Sequence, residues 1–377
     1  MIPFNKPFIV GKELKYISQA VQNGNLAGDG IFTRKCCAWM EHEFNLKKTF
    51  LVHSGTAALE MAAILCDLSP GDEVIVPSYT FVSTVNAFVL RGAKPVFIDI
   101  RPDTMNMDET KIEDLITERT KVICPVHYGG VACEMDTIME IAEQYNLLVV
   151  EDAAQGVNAT YKEKYLGSIG HLGCYSFHET KNFISGEGGA LAVNDDRYIK
   201  RAEITREKGT NRSEFFRGMV DKYSWVDIGS SYLASEITAA FLYAQLEEAA
   251  KITSRRNNIW NRYFELLTPL AITGKIQLPL IPEQCRHNAH MFYIVLDSLE
   301  TRTRLINYLS NNGINAVFHY VPLHSSPMGL KTSGKKSILP VTEDISDRLL
   351  RLPCYFELSD ENIDDITRCI YDFFKQS

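Results

Sequence analysis

Between residues 49 and 194 the chain alternates between two periodicities, and that alternation leaves few architectures open to it. Short apolar, β-branched runs occur at 73–77, 95–100, 122–126 and 147–150. Helix-period stretches lie between them. Met135, Ile138, Met139, Ala142 and Tyr145 recur at three and four residues, and Ile112, Leu115 and Ile116 follow Asp108 in a shorter pattern. Residues 83–90 read as a crossover helix ended by Gly92. Strands that alternate with helices, and are apolar without polar alternation, predict an α/β fold with a mostly parallel sheet covered on both faces.

Beyond residue 232 the character changes. Residues 232–267 form one long helical pattern, or two broken near Ile252. Strand patterns follow at 291–296 and 314–318, and helical patterns at 300–309 and 363–374, the last with Ser359 or Asp360 as cap. Residues 328–337 are polar and rich in Gly, Ser and Lys, which predicts an exposed loop. A chain of 377 residues exceeds what one core usually organises. The expected division is a large domain over 1–245 and a small C-terminal α/β domain over 246–377.

The formal net charge of -8 argues against sequence-independent nucleic-acid binding, which needs a basic face. No apolar run approaches the ~20 residues that cross a bilayer. The N-terminal stretch has no basic segment followed by a long apolar one, so no secretory signal is expected. Nine cysteines, an odd number without a C-x-x-C pair, several of them inside apolar runs, predict reduced thiols and a cytoplasmic location.

Three segments carry candidate chemistry. His53-Ser54-Gly55-Thr56-Ala57-Ala58-Leu59 follows an apolar run and opens a helix-forming stretch. Small residues at such a junction let backbone N–H groups, a hydroxyl and the helix dipole meet a phosphate. A well-capped helix gives the same pattern. Asp152 ends the run at 147–150 with Ala153, Ala154 and Gln155 beside it. Ligands of open α/β sheets bind beyond the carboxyl ends of strands, although an Asp there also serves as a plain helix or turn cap. Lys181 lies in Ser176-Phe177-His178-Glu179-Thr180-Lys181-Asn182, just before Gly186-Glu187-Gly188-Gly189. A lysine held among aromatic and hydroxyl groups can lose its proton and form a Schiff base, whereas a lone lysine is more often a solvated surface group. Together the segments supply a phosphate cradle, a strand-end carboxylate, a lysine and, at Phe81, an aromatic face. That is the set a pyridoxal phosphate site needs.

On Ser54–Leu59, Thr80–Thr84, Pro125–His127, Glu151–Gln155, Ser176–Asn182 and Gly186–Gly189 the chain resembles the sugar-nucleotide aminotransferases of PLP fold type I, through nearly its whole length. The resemblance implies the following roles. Lys181 is the catalytic lysine that tethers pyridoxal 5'-phosphate. Asp152 pairs with the pyridinium nitrogen, Gln155 lies near the ring hydroxyl and Phe81 stacks on the ring. Gly55, Thr56, Ala57 and Ser176 hold the phosphate. Many relatives place an Asn of the neighbouring subunit on that phosphate; here the matching segment reads Gly229-Ser230-Ser231-Tyr232, so Ser231 takes the position without the amide. A homodimer with shared active sites is implied as well.

The stretches GDGIFTR, REKGTNRSEFFRG and HYVPLH resemble the branch of this family that aminates a dTDP-linked 4-keto-6-deoxy sugar with L-glutamate as donor. An anionic substrate on an acidic chain needs local cations. Arg212 and Arg217 beside Phe215 and Phe216 are candidates, and Tyr320 and His324 are further candidate substrate contacts; an exposed loop and a hydrogen-bonded histidine are the plain alternatives. His287 and His290 lack a third ligand at metal spacing, so no metal is expected. No G-x-G-x-x-G follows an early strand, which argues against a nicotinamide enzyme. Lys181 itself argues against a non-catalytic relative, and against the family's dehydratases, which carry His there.

Overall fold

A computed structural model describes residues 1–334 and 336–376. Its centre is a seven-stranded sheet of β1 (Lys48–Val52), β2 (Glu73–Pro77), β3 (Lys94–Ile98), β4 (Thr120–Ile123), β5 (Leu148–Asp152), β6 (Leu172–Ser176) and β7 (Gly189–Val193), in the order β1-β7-β6-β5-β4-β2-β3. All neighbouring pairs are parallel except the two that β7 makes, with β1 and β6. The period of two sorts the strand side chains into two cores. Leu51, Ile75, Ile123 and Val149 face one way, and Val52, Val74, Val76, Val122 and Val150 the other. Both faces are covered, which is why the runs read as apolar throughout rather than alternating.

Helices α1 (Glu13–Gln22) and α2 (Ile31–Glu43) precede the sheet. Within and after it come α3 (Gly55–Leu65), α4 (Val82–Val89), α5 (Met135–Gln144), α6 (Asp196–Arg206) and α7 (Glu236–Glu247). Residues of α2, α5 and α7 cover the first face, and residues of α3, α4 and α6 the second. Then α8 (Ala249–Ile272), a pair of antiparallel strands at Phe292–Val295 and Leu349–Leu352, α9 (Leu299–Asn311) and α12 (Asp360–Gln376) build a third core from Ile259, Tyr263, Phe292, Leu309, Ile366 and Ile370 among others. Between α9 and α12 lie α10 (Pro327–Ser333) and α11 (Pro340–Arg348). The chain is thus an α/β protein, a large part on a mostly parallel sheet and a small C-terminal α/β part. The change from the first core to the third falls inside α8, since Ala249 and Ile252 pack on the sheet and Ile259 onward do not.

Several sequence expectations need correction. The pattern after Asp108 gives two short 3-10 turns rather than a helix, Glu109–Lys111 and Glu113–Leu115. Asp108 accepts from the Thr110 N–H at 3.3 Å and its hydroxyl at 2.6 Å, which closes a tight local turn. The long helical pattern breaks at Glu248 rather than near Ile252. Residues 314–318 form no continuous strand. Ile314 bridges Ile2 while Val317 bridges Arg351, so the segment is shared between two neighbours. Within the expected loop at 328–337, residues up to Ser333 belong to α10. Ser326 caps it through the Gly329 N–H at 3.1 Å, Pro327 takes the first position, and Gly334 ends it at φ +70°. Lys335, in the same stretch, lies outside the described residues. Ser359 is the cap of the last helix, accepting from the Asn362 N–H at 3.1 Å.

Candidate active site

The carboxyl ends of β1, β2 and β5 and the loop after β6 open on one cavity of about 630 Å³. The strand pair at Phe292–Val295 and Leu349–Leu352 closes its far side through Met291, Arg351 and Leu352. Gly55, Thr56, Phe81, Asp152, Gln155, Ser176, Lys181 and Tyr320, eight of the residues singled out in the sequence, line it.

The floor is the start of α3. Ser54 caps this helix, its Oγ accepting from the Ala57 N–H at 3.0 Å. Ala57 is therefore buried behind the cavity wall, its amide already used. The Gly55 and Thr56 amides have no acceptor among the described residues. A Cβ on Gly55 would stand 2.8 Å from the Ser176 Cβ, so only glycine lets the two segments meet. The Thr56 and Ser83 hydroxyls lie 2.8 Å apart at the same edge. Free amides, three hydroxyls and a helix N-terminus of eleven residues form a cradle that fits a phosphate.

Asp152 is buried, and its carboxylate is held from two sides. Oδ2 accepts from the Thr84 hydroxyl at 2.7 Å and Oδ1 from the Ala154 N–H at 3.1 Å. Thr80 Oγ1 lies 2.9 Å from Thr84 Oγ1 and completes the brace. Gln155 accepts from the Gly129 N–H at 2.7 Å and donates to the Tyr320 hydroxyl at 2.7 Å. Phe81 stands at the N-cap of α4 with 57% of its surface exposed, so its ring is free to cover a flat group. Beneath the site, Glu151 is wholly buried. It accepts from the Gly167, Ile169 and Gly170 amides at 2.6–2.8 Å and from His127 Nε2 at 2.9 Å. These bonds fix the end of β5 from which Asp152 projects.

Lys181 reaches the same space. Its ammonium has no hydrogen-bond or ion-pair partner among the described residues, and burial draws its pKa down to about 8 against the opposing pull of Asp152. Arg351 pushes in the same direction as burial. His290 and His319 are likewise held well below the usual imidazole range, by burial first and then by neighbouring cations, so both are neutral. The arrangement can therefore hold a flat anionic ring compound on a cradle, set a carboxylate at one of its edges and present a readily deprotonated amine.

A model of the DegT/DnrJ/EryC1/StrS aminotransferase family matches residues 8–371. The chain belongs to that family. Among its relatives, GDP-perosamine synthase of Escherichia coli O157:H7 is 32% identical, over 99% of this chain and 98% of that protein. The spore coat polysaccharide biosynthesis protein SpsC of Bacillus subtilis is also 32% identical, over 99% and 97%. Among solved structures, the putative sugar aminotransferase Spr1654 of Streptococcus pneumoniae in its PMP-form superposes with a TM-score of 0.91 at 27% identity, covering all of both chains. A PLP-form of the same protein superposes equally well, at 26% identity over 100% of this chain and 99% of that one.

In this aminotransferase four residues singled out in the sequence lie away from the cavity. His324 is buried, with Nδ1 2.7 Å from the Ser78 hydroxyl and Nε2 3.0 Å from Glu343, so both nitrogens are engaged and it does not face a substrate. Arg217 forks onto Glu203 with two contacts of 2.7 Å. Arg212 lies 3.9 Å from Glu207 and over the Phe216 ring, on an exposed surface. Ser231 is exposed and bridges Glu207. Conversely, Thr84, His319 and Arg351 line the cavity without having been singled out in the sequence. Thr84 gave no local signal, because its partner stands 68 positions away. Arg351 did give one: a lone cation inside the apolar run Leu349–Leu352.

Proposed function

We propose that this aminotransferase uses pyridoxal 5'-phosphate to move the amino group of L-glutamate to carbon 4 of dTDP-4-keto-6-deoxyglucose. The products are the dTDP-linked 4-amino-4,6-dideoxygalactose and 2-oxoglutarate. The observation that carries the reading is the meeting of Lys181, Asp152 and the Gly55–Thr56–Ser176 cradle in one cavity. When bound, the cofactor supplies the carbonyl carbon that takes up the amino group and a ring that withdraws electrons from it. Lys181 is its tether and, once displaced, the base that takes the proton from the donor's α-carbon; a pKa near 8 suits that task at neutral pH. Asp152, fixed by Thr84 and the Ala154 amide, holds the ring nitrogen protonated. Gly55, Thr56 and Ser176, with Ala57 behind them, seat the phosphate, Phe81 covers the ring and Gln155 stands beside its hydroxyl. Tyr320 lies where the sugar enters.

The dTDP sugar rests on the GDGIFTR, REKGTNRSEFFRG and HYVPLH stretches. A GDP-linked 4-keto sugar is the second reading, favoured by the end-to-end match to GDP-perosamine synthase. We also propose a domain division near residue 245, a cytoplasmic enzyme serving cell-surface polysaccharide synthesis, and a homodimer whose second copy brings Ser231, Arg212 and Arg217 toward the site. No helix among the described residues is long and apolar enough to cross a membrane.

The test is to convert the enzyme to its amino form with glutamate and offer each keto sugar in turn. Return of the original visible absorption with the dTDP sugar, and a 4-amino galacto product by NMR, supports the first reading. Return with the GDP sugar alone replaces it by the second.

A further inference from the structure

The segment His287-Asn288-Ala289-His290 has no part in the function proposed above, yet its last residue lines the same cavity as Lys181. The backbone there is pinned from two sides. Arg256 of α8 donates from Nε to the Ala289 carbonyl at 3.1 Å and from Nη2 to the His290 carbonyl at 2.7 Å. The buried Asn288 amide donates to the Gln155 and Val157 carbonyls, both at 2.8 Å, and its Oδ1 accepts from the His290 N–H at 3.0 Å. The loop that follows Asp152 is thereby tied to the chain entering the small part.

These bonds also decide which nitrogen of the His290 ring carries the proton. A backbone carbonyl can only accept, so the 2.8 Å contact between the Asn288 carbonyl and Asn182 Nδ2 fixes the Asn182 amide. Its Oδ1 is then turned to His290 Nδ1, 3.0 Å away, and that nitrogen must donate. A second proton is opposed by burial and by three cations, Lys181, Arg256 and Arg351. His290 Nε2 is therefore a bare lone pair, and it has no partner among the described residues. Lys181 directly precedes Asn182, and its amine is partnerless in the same cavity. On the transaminase reading above, the displaced lysine takes up a proton and must keep an ammonium in a buried place, which is costly without an acceptor. Asp152 is already aimed by Thr84 and the Ala154 amide at another task.

We propose that His290 is a positioning residue for Lys181: the ammonium of the displaced lysine donates to His290 Nε2, and the Asn182 amide keeps that nitrogen unprotonated. No proton passes to the imidazole; the lysine holds it until the next transfer. This rests on the transaminase reading. The test uses H290F, H290Q and N182A, without and with cofactor. In the cofactor-free protein, nitrogen NMR of labelled histidine places the His290 proton on Nδ1, and N182A spreads it over both nitrogens. Trinitrobenzenesulfonate labelling of Lys181, followed on its peptide across pH, sets in at lower pH in H290F, because an ammonium without its acceptor loses its proton sooner. H290Q, whose side-chain carbonyl accepts, restores the wild-type profile. Asp152 and Arg351 act on Lys181 from other walls and are present in every variant. In the loaded enzyme, single-turnover loss of the visible band at saturating glutamate slows about 10-fold in H290F and about threefold in N182A, with KM for glutamate within about twofold. A proton on Nε2 in the wild type would overturn the proposal. So would unchanged labelling and turnover in H290F, or a raised KM at an unchanged limiting rate, which would make His290 a substrate contact. Should H290F not fold, N182A and H290Q decide on the same readings. A loaded wild type that ignores every amino donor would instead remove the transaminase reading, while the cofactor-free measurements still judge the contact between His290 and Lys181.

Discussion

Burial holds the Lys181 amine at a pKa of about 8, below the ordinary lysine value of 10.5. The unfolded chain therefore binds more protons at this residue between pH 8 and about 10.5. Folding stability consequently rises with pH through that window and carries the full penalty below it. Lys181→Met removes the penalty. The cofactor-free variant should melt at a higher temperature than the wild type at pH 7, with the gain vanishing above about pH 10.5. Differential scanning calorimetry across pH checks this, and a variant that melts lower at pH 7 would contradict it. The neighbouring brace makes a second prediction. Thr84→Val deprives Asp152 Oδ2 of its donor, so the carboxylate loses its aim. Turnover should fall about 10-fold with cofactor still bound, because small misplacements at a reacting centre are expensive; equal kcat in steady-state assays would remove Thr84 from this role. Lys181 was found by its aromatic and hydroxyl-rich segment, whereas Thr84 needs β5 brought beside α4.

Among the elements, the strands were the most legible. The run at 73–77 is short, unbroken and covered on both faces, and β2 has those limits. Segments stabilised by distant partners were less so. His324 reads as a candidate contact because its partners Ser78 and Glu343 come from other elements. Glu236, at the start of α7, shows the same limit. Its buried carboxylate accepts from the Gly30, Phe32 and Thr33 amides at 2.8–3.0 Å and from the Thr33 hydroxyl, capping α2 from across the chain. Helix N-termini favour an anion, which is how a carboxylate is sustained there without a cation. Glu236→Ala leaves three buried amides and the Thr33 hydroxyl unanswered and should cost roughly 3–5 kcal/mol of stability in urea unfolding. A loss under about 1 kcal/mol would mean that water or a shifted backbone replaces it.

On the scale of the molecule, the α/β architecture, its order of motifs and the cavity at the carboxyl ends of its strands follow from the alternation read in the sequence. What the alternation does not contain is the far wall. Arg351, His319 and Tyr320 arrive from the C-terminal part, and only the closed fold shows that they meet Lys181. The surface that carries Phe216, Met219 and Trp225 leaves each more than 60% exposed. Large apolar side chains grouped on one surface mark an association site. Sedimentation should accordingly give twice the chain mass, and Trp225→Glu should shift the species toward one copy; a monomeric wild type would contradict the dimer. The proposed chemistry turns on Lys181 as the residue that carries the cofactor. The most direct measurement is to load the protein with pyridoxal 5'-phosphate, reduce it with borohydride and map the modified peptide by mass spectrometry. One cofactor should be found on Lys181, and none on the Lys181→Ala protein. Modification of a different lysine, or no stable adduct at all, would contradict it.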